Sequence, residues 1–204
     1  SGTVNTGSAE TVASLTAGTG YRLMVIDDLG CNVETSFDID EPDPITFDID
    51  SKNLSCYGSN DGEITVTNVD GGWGSNYSYA WEVFNGSGWD PYPSSGPATT
   101  PTVNNLPVGT YRVTVTGNLY GCTATSSEIV ITQPEELELI LSGQKDITTC
   151  YGDNSGEVTL RVEGGTGPYD LTGSATYLNW SGSGTFVASG LSAGVNSFNV
   201  QDAN

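Results

Sequence analysis

The chain repeats itself with a period of roughly ninety residues, which confines it to architectures assembled from like units. Cys56-Tyr57-Gly58-Ser59-Asn60-Asp61-Gly62-Glu63-Ile64-Thr65-Val66 returns as Cys150-Tyr151-Gly152-Asp153-Asn154-Ser155-Gly156-Glu157-Val158-Thr159-Leu160. Leu106-Pro107-Val108-Gly109, followed by Tyr111-Arg112, is echoed by Leu15-Thr16-Ala17-Gly18 with Tyr21-Arg22, and by Leu191-Ser192-Ala193-Gly194. Gly30-Cys31 recurs as Gly121-Cys122. Within a unit, Cys-x-Gly comes first, Leu-x-x-Gly late and Gly-Cys near the end. That phase makes residues 1–43 the rear part of one unit, 44–134 a complete unit and 135–204 the front part of the next. The chain is thus read as a slice of a longer protein. Repetition of this kind suits a protein that extends, presents or binds, and a single catalytic pocket does not require it.

Strand signals fill the units and helix signals are nearly absent. Tyr21, Leu23 and Val25 alternate with polar neighbours, as do Phe37 and Ile39, Phe47 and Ile49, and Tyr77, Tyr79 and Trp81. Ile64 and Val66 lead to Val69, and Tyr111, Val113 and Val115 precede Ile129 and Ile131. Turn residues punctuate these runs every eight to twelve residues or so, the spacing of a β-sandwich. Proline marks the joints: Glu41-Pro42-Asp43-Pro44 and Gln133-Pro134-Glu135-Glu136. Such short linkers predict units set end to end with little swing, each taking its neighbouring repeats as partners.

Composition excludes several function classes. Five Lys and Arg stand against twenty-five Asp and Glu, a net charge of −20. Neither nucleic acid nor an anionic membrane suits that balance, and no apolar run marks this segment for direct membrane insertion. The chain has no histidine, which removes the usual general base, the Ser-His and Cys-His pairs and the commonest zinc ligand. Gly-rich stretches lack the Lys-Ser or Lys-Thr of a phosphate loop, so no cofactor is expected. Carboxylates fall in turns and linkers instead of facing each other across a cleft, and the chain is not read as an enzyme. The four cysteines form no Cys-x-x-Cys pair. Structural disulfides in an oxidising compartment fit them better than zinc.

Cys56-Tyr57-Gly58 with Asp61-Gly62, Gly71-Gly72, Tyr77-Ser78-Tyr79-Ala80-Trp81, Leu106-Pro107-Val108-Gly109-Thr110-Tyr111, Gly121-Cys122-Thr123-Ala124-Thr125 and Ile131-Thr132-Gln133-Pro134 follow one another through the central unit. With these six motifs it resembles a SprB repeat. Such repeats occur in giant surface adhesins of gliding Bacteroidetes. The resemblance implies an all-β chain of tandem immunoglobulin-like β-sandwich repeats arranged end to end. It also implies export by the type IX secretion route, placement at the extracellular face of the bacterial outer membrane, and a part in adhesion and gliding. Three departures stand out. Asn196 replaces the tyrosine seen at Tyr111, so a tyrosine-corner tie is expected to be missing from the third unit. Gly20 is an extra residue before Tyr21, and a Gly-, Ser- and Pro-rich insertion runs from Phe84 to Pro101.

Three sets of residues are site candidates. Cys31, Cys56, Cys122 and Cys150 are disulfide candidates. Cys56 either pairs with Cys122 inside the central unit, or each bonds across a joint to a neighbouring unit, or they stay free thiols. In the implied sandwich Cys56 and Cys122 sit at opposite poles, about 30 Å apart for a strand of nine or ten residues, which favours the joints. Asp38, Asp40, Glu41, Asp43, Asp48 and Asp50 crowd the first linker as a candidate Ca²⁺ site, although no EF-hand loop is present. Trp89 and Tyr92, in the insertion, are candidate glycan contacts, whereas Trp81 is assigned to the core. These aromatics support a second functional reading, a carbohydrate-binding module, with surface polysaccharide as its partner.

Overall fold

The structure is a computed structural model that describes residues 11–93, 99–175 and 184–203, together with the backbone of 177–180. Residues 94–98 of the insertion lie outside the described residues. Among the described residues every regular element is a strand.

The central unit is an immunoglobulin-like sandwich. One sheet pairs β3 (Thr46–Lys52), β4 (Gly62–Asp70) and β7 (Thr102–Leu106) in that order. The other runs β10 (Ile129–Ile131), β8 (Gly109–Gly117), β5 (Tyr77–Phe84) and β6 (Trp89–Pro91), with β9 (Thr123–Thr125) also on β8. The alternation read from the sequence is what packs the two sheets together. Ile64, Val66, Val103 and Leu106 from the first sheet meet Trp81, Tyr111, Val113, Val115, Ile129 and Ile131 from the second in one buried cluster. Trp81, as assigned, lies in that core, and its indole N–H is satisfied by the Thr100 carbonyl at 3.0 Å. The odd step from Val66 to Val69 has a local cause. Asn68 takes a left-handed φ of 50°, and the β3–β4 register slips beside it, which returns Val69 toward the core.

The third unit builds the same plan with different parts. Its first sheet runs β11 (Glu138–Lys145), β12 (Gly156–Glu163), β15 (Thr185–Leu191) and β14 (Tyr177–Trp180), and its second pairs β13 (Asp170–Gly173) with β16 (Phe198–Gln201). The strand after the third one therefore changes sheets: β6 pairs with β5, whereas β14 pairs with β15. The core also exchanges volume across one strand pair. Trp81 faces Val113 in the central unit, and at the matching position Gly173 faces Phe198. A Cβ on Gly173 would overlap the Phe198 ring, so the larger side chain has moved to the partner strand. Leu160, Val162, Leu171 and Phe186 form this unit's own buried cluster, separate from that of the central unit.

Ahead of both lies a two-stranded hairpin, β1 (Gly18–Ile26) with β2 (Asn32–Ile39). It reproduces the β8–β10 hairpin, with Tyr21, Leu23 and Val25 at the places of Tyr111, Val113 and Val115. In the central unit one extra residue breaks the last strand into β9 and β10. Ser126 fills the break by exchanging bonds with Val113, its Oγ accepting from the Val113 N–H at 3.0 Å.

Candidate functional site

The Cys-x-Gly turns are held by a hydroxyl and a carboxylate that trade places between repeats. In the central unit Ser59 donates to Asp61 Oδ1 at 2.6 Å, and the Ser55 N–H donates to the same oxygen at 3.0 Å. Those bonds, with Lys52 3.7 Å away, hold the Asp61 carboxyl well below the usual carboxylate range. In the third unit the carboxylate sits at Asp153 and the hydroxyl at Ser155. Cys150 N donates to Asp153 Oδ2 at 3.0 Å, and Thr149 bonds Ser155 at 3.0 Å. Hydrogen bonds from Thr149 and the Cys150 N–H lower the Asp153 pKa as well. The same turn thus survives a swap of its two polar side chains.

A second device ties the corner before the eighth strand. Tyr111 is fully buried, and its hydroxyl donates to the Pro107 carbonyl at 2.9 Å. Burial pushes that hydroxyl up to about 12, with Tyr92 adding to the shift. Tyr21 makes the same bond to Thr16 O at 3.0 Å, one residue further back because of Gly20. The third unit corrects the expectation that this tie is lost. Asn196 Nδ2 donates to Ser192 O at 3.1 Å, so an amide replaces the phenol. What Asn196 does not supply is the ring's volume, and it lines a cavity of about 640 Å³ together with Leu141, Val158, Leu160, Leu191 and Phe198.

The candidate site residues do not converge. All four cysteines are free thiols, Cys31 and Cys150 exposed and Cys56 and Cys122 half-buried. The Cys56–Cys122 pairing that the sequence leaves open is therefore not formed. Cys56 lies in the turn beside Gly58, whose N–H donates to Gln133 Oε1 at 2.9 Å, at the pole where the central unit ends. Cys122 lies at the other pole, its carbonyl accepting from the N–H of Gly117, which packs near Ile45 at the start of the unit. Two of the acidic residues around the first linker are engaged singly. Asp38 accepts the Gly20 N–H at 2.7 Å, and Asp48 accepts Asn68 Nδ2 at 2.8 Å. Among the described residues, no group of three or more Asp, Glu, Cys or His side chains is placed to hold a metal ion.

The insertion's aromatics part company. Trp89 stands on the outer face of the β5–β6–β8 sheet, where the Arg112 guanidinium covers its ring at 4.3 Å from the centroid and Phe84 lies tilted at 5.4 Å. Arg112 is fixed in turn by Glu82, Nε to Oε2 at 2.6 Å, a bond that raises its pKa. Tyr92 turns inward, edge-on to Tyr111 at 5.4 Å, and packs against the core. One face of Trp89 is thus already engaged by a cation, and Tyr92 does not share its surface.

Sequence reasoning missed the Glu82–Arg112–Trp89 stack, whose only signal is the outward phase of all three strands. It also missed what the paired glycines do. Gly72 N donates to Asp43 O at 2.7 Å, and Gly165 N to Glu135 O at 2.9 Å, while Tyr77 and Tyr169 hydroxyls bond Gly71 O and Gly164 O at 2.8 and 2.7 Å. The family model of the SprB repeat matches residues 49–83 and 145–177, which span these turns in both units. Two stretches of the chain are thus similar to the SprB repeat. The matched stretches run from the end of the first strand of each unit through the Cys-x-Gly turn to the strand after the Gly-Gly pair, about a third of the chain. No curated protein matches the chain.

Proposed function

We propose that this chain is a spacer segment of a large cell-surface adhesin or filament that serves attachment and gliding, bearing load instead of performing chemistry. The observation that carries the reading is that two SprB-type repeats are built around separate cores, the central one entered at one pole and left at the other. Force applied along such a chain runs through successive sandwiches in series. A surface of net charge −20 suits an exposed, self-repelling array. Export across the cell envelope by the type IX route belongs to the same reading, as does a location at the extracellular side of the outer membrane. Neighbouring repeats are the partners it requires.

The test is immunolabelling of the cells that make the protein, with an antibody raised against the 204-residue chain. Labelling of intact, unpermeabilised cells is expected, with gliding or attachment reduced when the segment is deleted in frame. Label that appears only after permeabilisation would sink the proposal.

A further inference from the structure

The joint between the central and third repeats is tethered on both sides of a single residue. On the exit side the Gln133 side chain accepts the Gly58 N–H, Thr132 N donates to Asn53 Oδ1 at 3.0 Å, and Leu54 N donates to Thr132 O at 3.0 Å. On the entry side Gly165 N takes the Glu135 carbonyl. Between these tethers stands Pro134, whose ring already fixes φ. The first joint has the same entry side, with Gly72 N on Asp43 O. Both turns need glycine. Gly71, Gly72, Gly164 and Gly165 all have φ between 61° and 86°, and a Cβ on Gly71 or Gly164 would overlap the carbonyl of Pro44 or Glu136. The tyrosine from the next strand buttresses the first glycine of each pair.

We infer that the Gly-Gly turn after the second strand of each of these repeats is a docking clamp for the polypeptide arriving from the preceding repeat, so that consecutive sandwiches reorient as one body about a one-residue pivot. This deepens the load-bearing reading and rests on it. A linker that merely joined the repeats would need neither a Gln side chain folded back on one sandwich nor a carbonyl captured by the next. Because the entry clamp recurs with the same four roles in two repeats of different core composition, it belongs to the joint and not to one unit's packing.

Residual dipolar couplings on the full chain test the inference. Backbone N–H couplings from residues 45–131 and 137–203 are expected to fit one alignment tensor. Gly164→Ala should split them into two tensors by expelling the linker carbonyl. Gln133→Ala, which changes a side chain outside both cores, should do so without altering core amide shifts, and covers the case in which Gly164→Ala unfolds the third repeat. Two tensors in the unmodified chain would overturn the clamp, and so would a single tensor that survives both substitutions. Either result leaves the surface-labelling test untouched, so the clamp and the adhesin reading fail separately.

Discussion

Replacing Tyr111 with phenylalanine isolates the corner tie from the packing of the ring. The ring is fully buried and stays so in the variant, whereas the 2.9 Å bond to Pro107 O is lost. A hydrogen bond of this kind contributes about 0.5–1.5 kcal/mol net, and leaving the carbonyl without its partner adds to the loss. The expected cost is about 1–2 kcal/mol, or a fall of about 4–16 °C in the melting temperature of a domain this size. Tyr21→Phe and Asn196→Ala remove the corresponding bonds in more exposed settings, at 3.0 and 3.1 Å, and should each cost less than about 0.5 kcal/mol. The pH dependence supplies an independent reading. A phenol ionises near pH 10 in the unfolded chain, and here it is held up to about 12. The folded state keeps the proton longer than the unfolded state does. The stability linked to Tyr111 is therefore whole below about pH 10 and is lost as pH rises toward about 12. Tyr111→Phe should flatten that alkaline decline. Calorimetry of the three variants across pH checks both claims. A Tyr111→Phe protein that melts with the wild type, or one whose alkaline limb is unchanged, would refute the reasoning.

Further outcomes follow from the turns and the sheet face. In the Cys56 turn, Ser59→Asp and Asp61→Ser should each destabilise the central repeat, and the double exchange should recover most of the loss, because it recreates the arrangement at Asp153 and Ser155; urea titration of the cycle reads the coupling. Since Asp61 is held below the usual carboxylate range, its contribution is whole above that range and is lost as pH falls through its folded value, so Asp61→Ser should remove an acid-limb dependence. Under native, non-denaturing conditions a thiol reagent should titrate all four cysteines, and an oxidised sample should yield no Cys56–Cys122 peptide by mass spectrometry. Arg112→Ala should unpair Glu82 and uncover Trp89, shifting tryptophan emission to the red while leaving the Trp81 indole in the core.

Much of the fold was legible because the sandwich writes itself in period two. Every strand run read from alternation in the central unit is a strand, and the inward residues named from it lie in its core or pack against it, whereas Ile45, Leu54, Val103 and Leu106 of that core were not read this way. What alternation could not carry was anything depending on which sheet a strand joins. Nothing local distinguishes the three residues of β6, which pair with β5, from β14, which pairs with β15. The exchange of Trp81 and Val113 for Gly173 and Phe198 was hidden for a related reason. It is a property of a cross-strand pair, and its two members lie far apart along the chain.

The candidate sites were less legible, and the tyrosine corner shows why. From sequence, Asn196 is a lost phenol, and the tie is expected to vanish with it. In three dimensions the requirement is a donor that reaches the carbonyl four residues back, which an amide meets as well as a phenol. What the substitution changes is volume: an amide brings no ring to fill the core, and Asn196 instead lines an open cleft. The Ser–Asp exchange in the Cys-x-Gly turn follows the same logic, with donor and acceptor kept and their positions traded. Divergence between these repeats therefore runs along lines that spare the backbone's polar groups and leave packing free to vary. The two repeats share the glycine turns and the tyrosines that brace them, and they also share the Cys-Tyr-Gly turn, whose tyrosines, Tyr57 and Tyr151, both stand exposed.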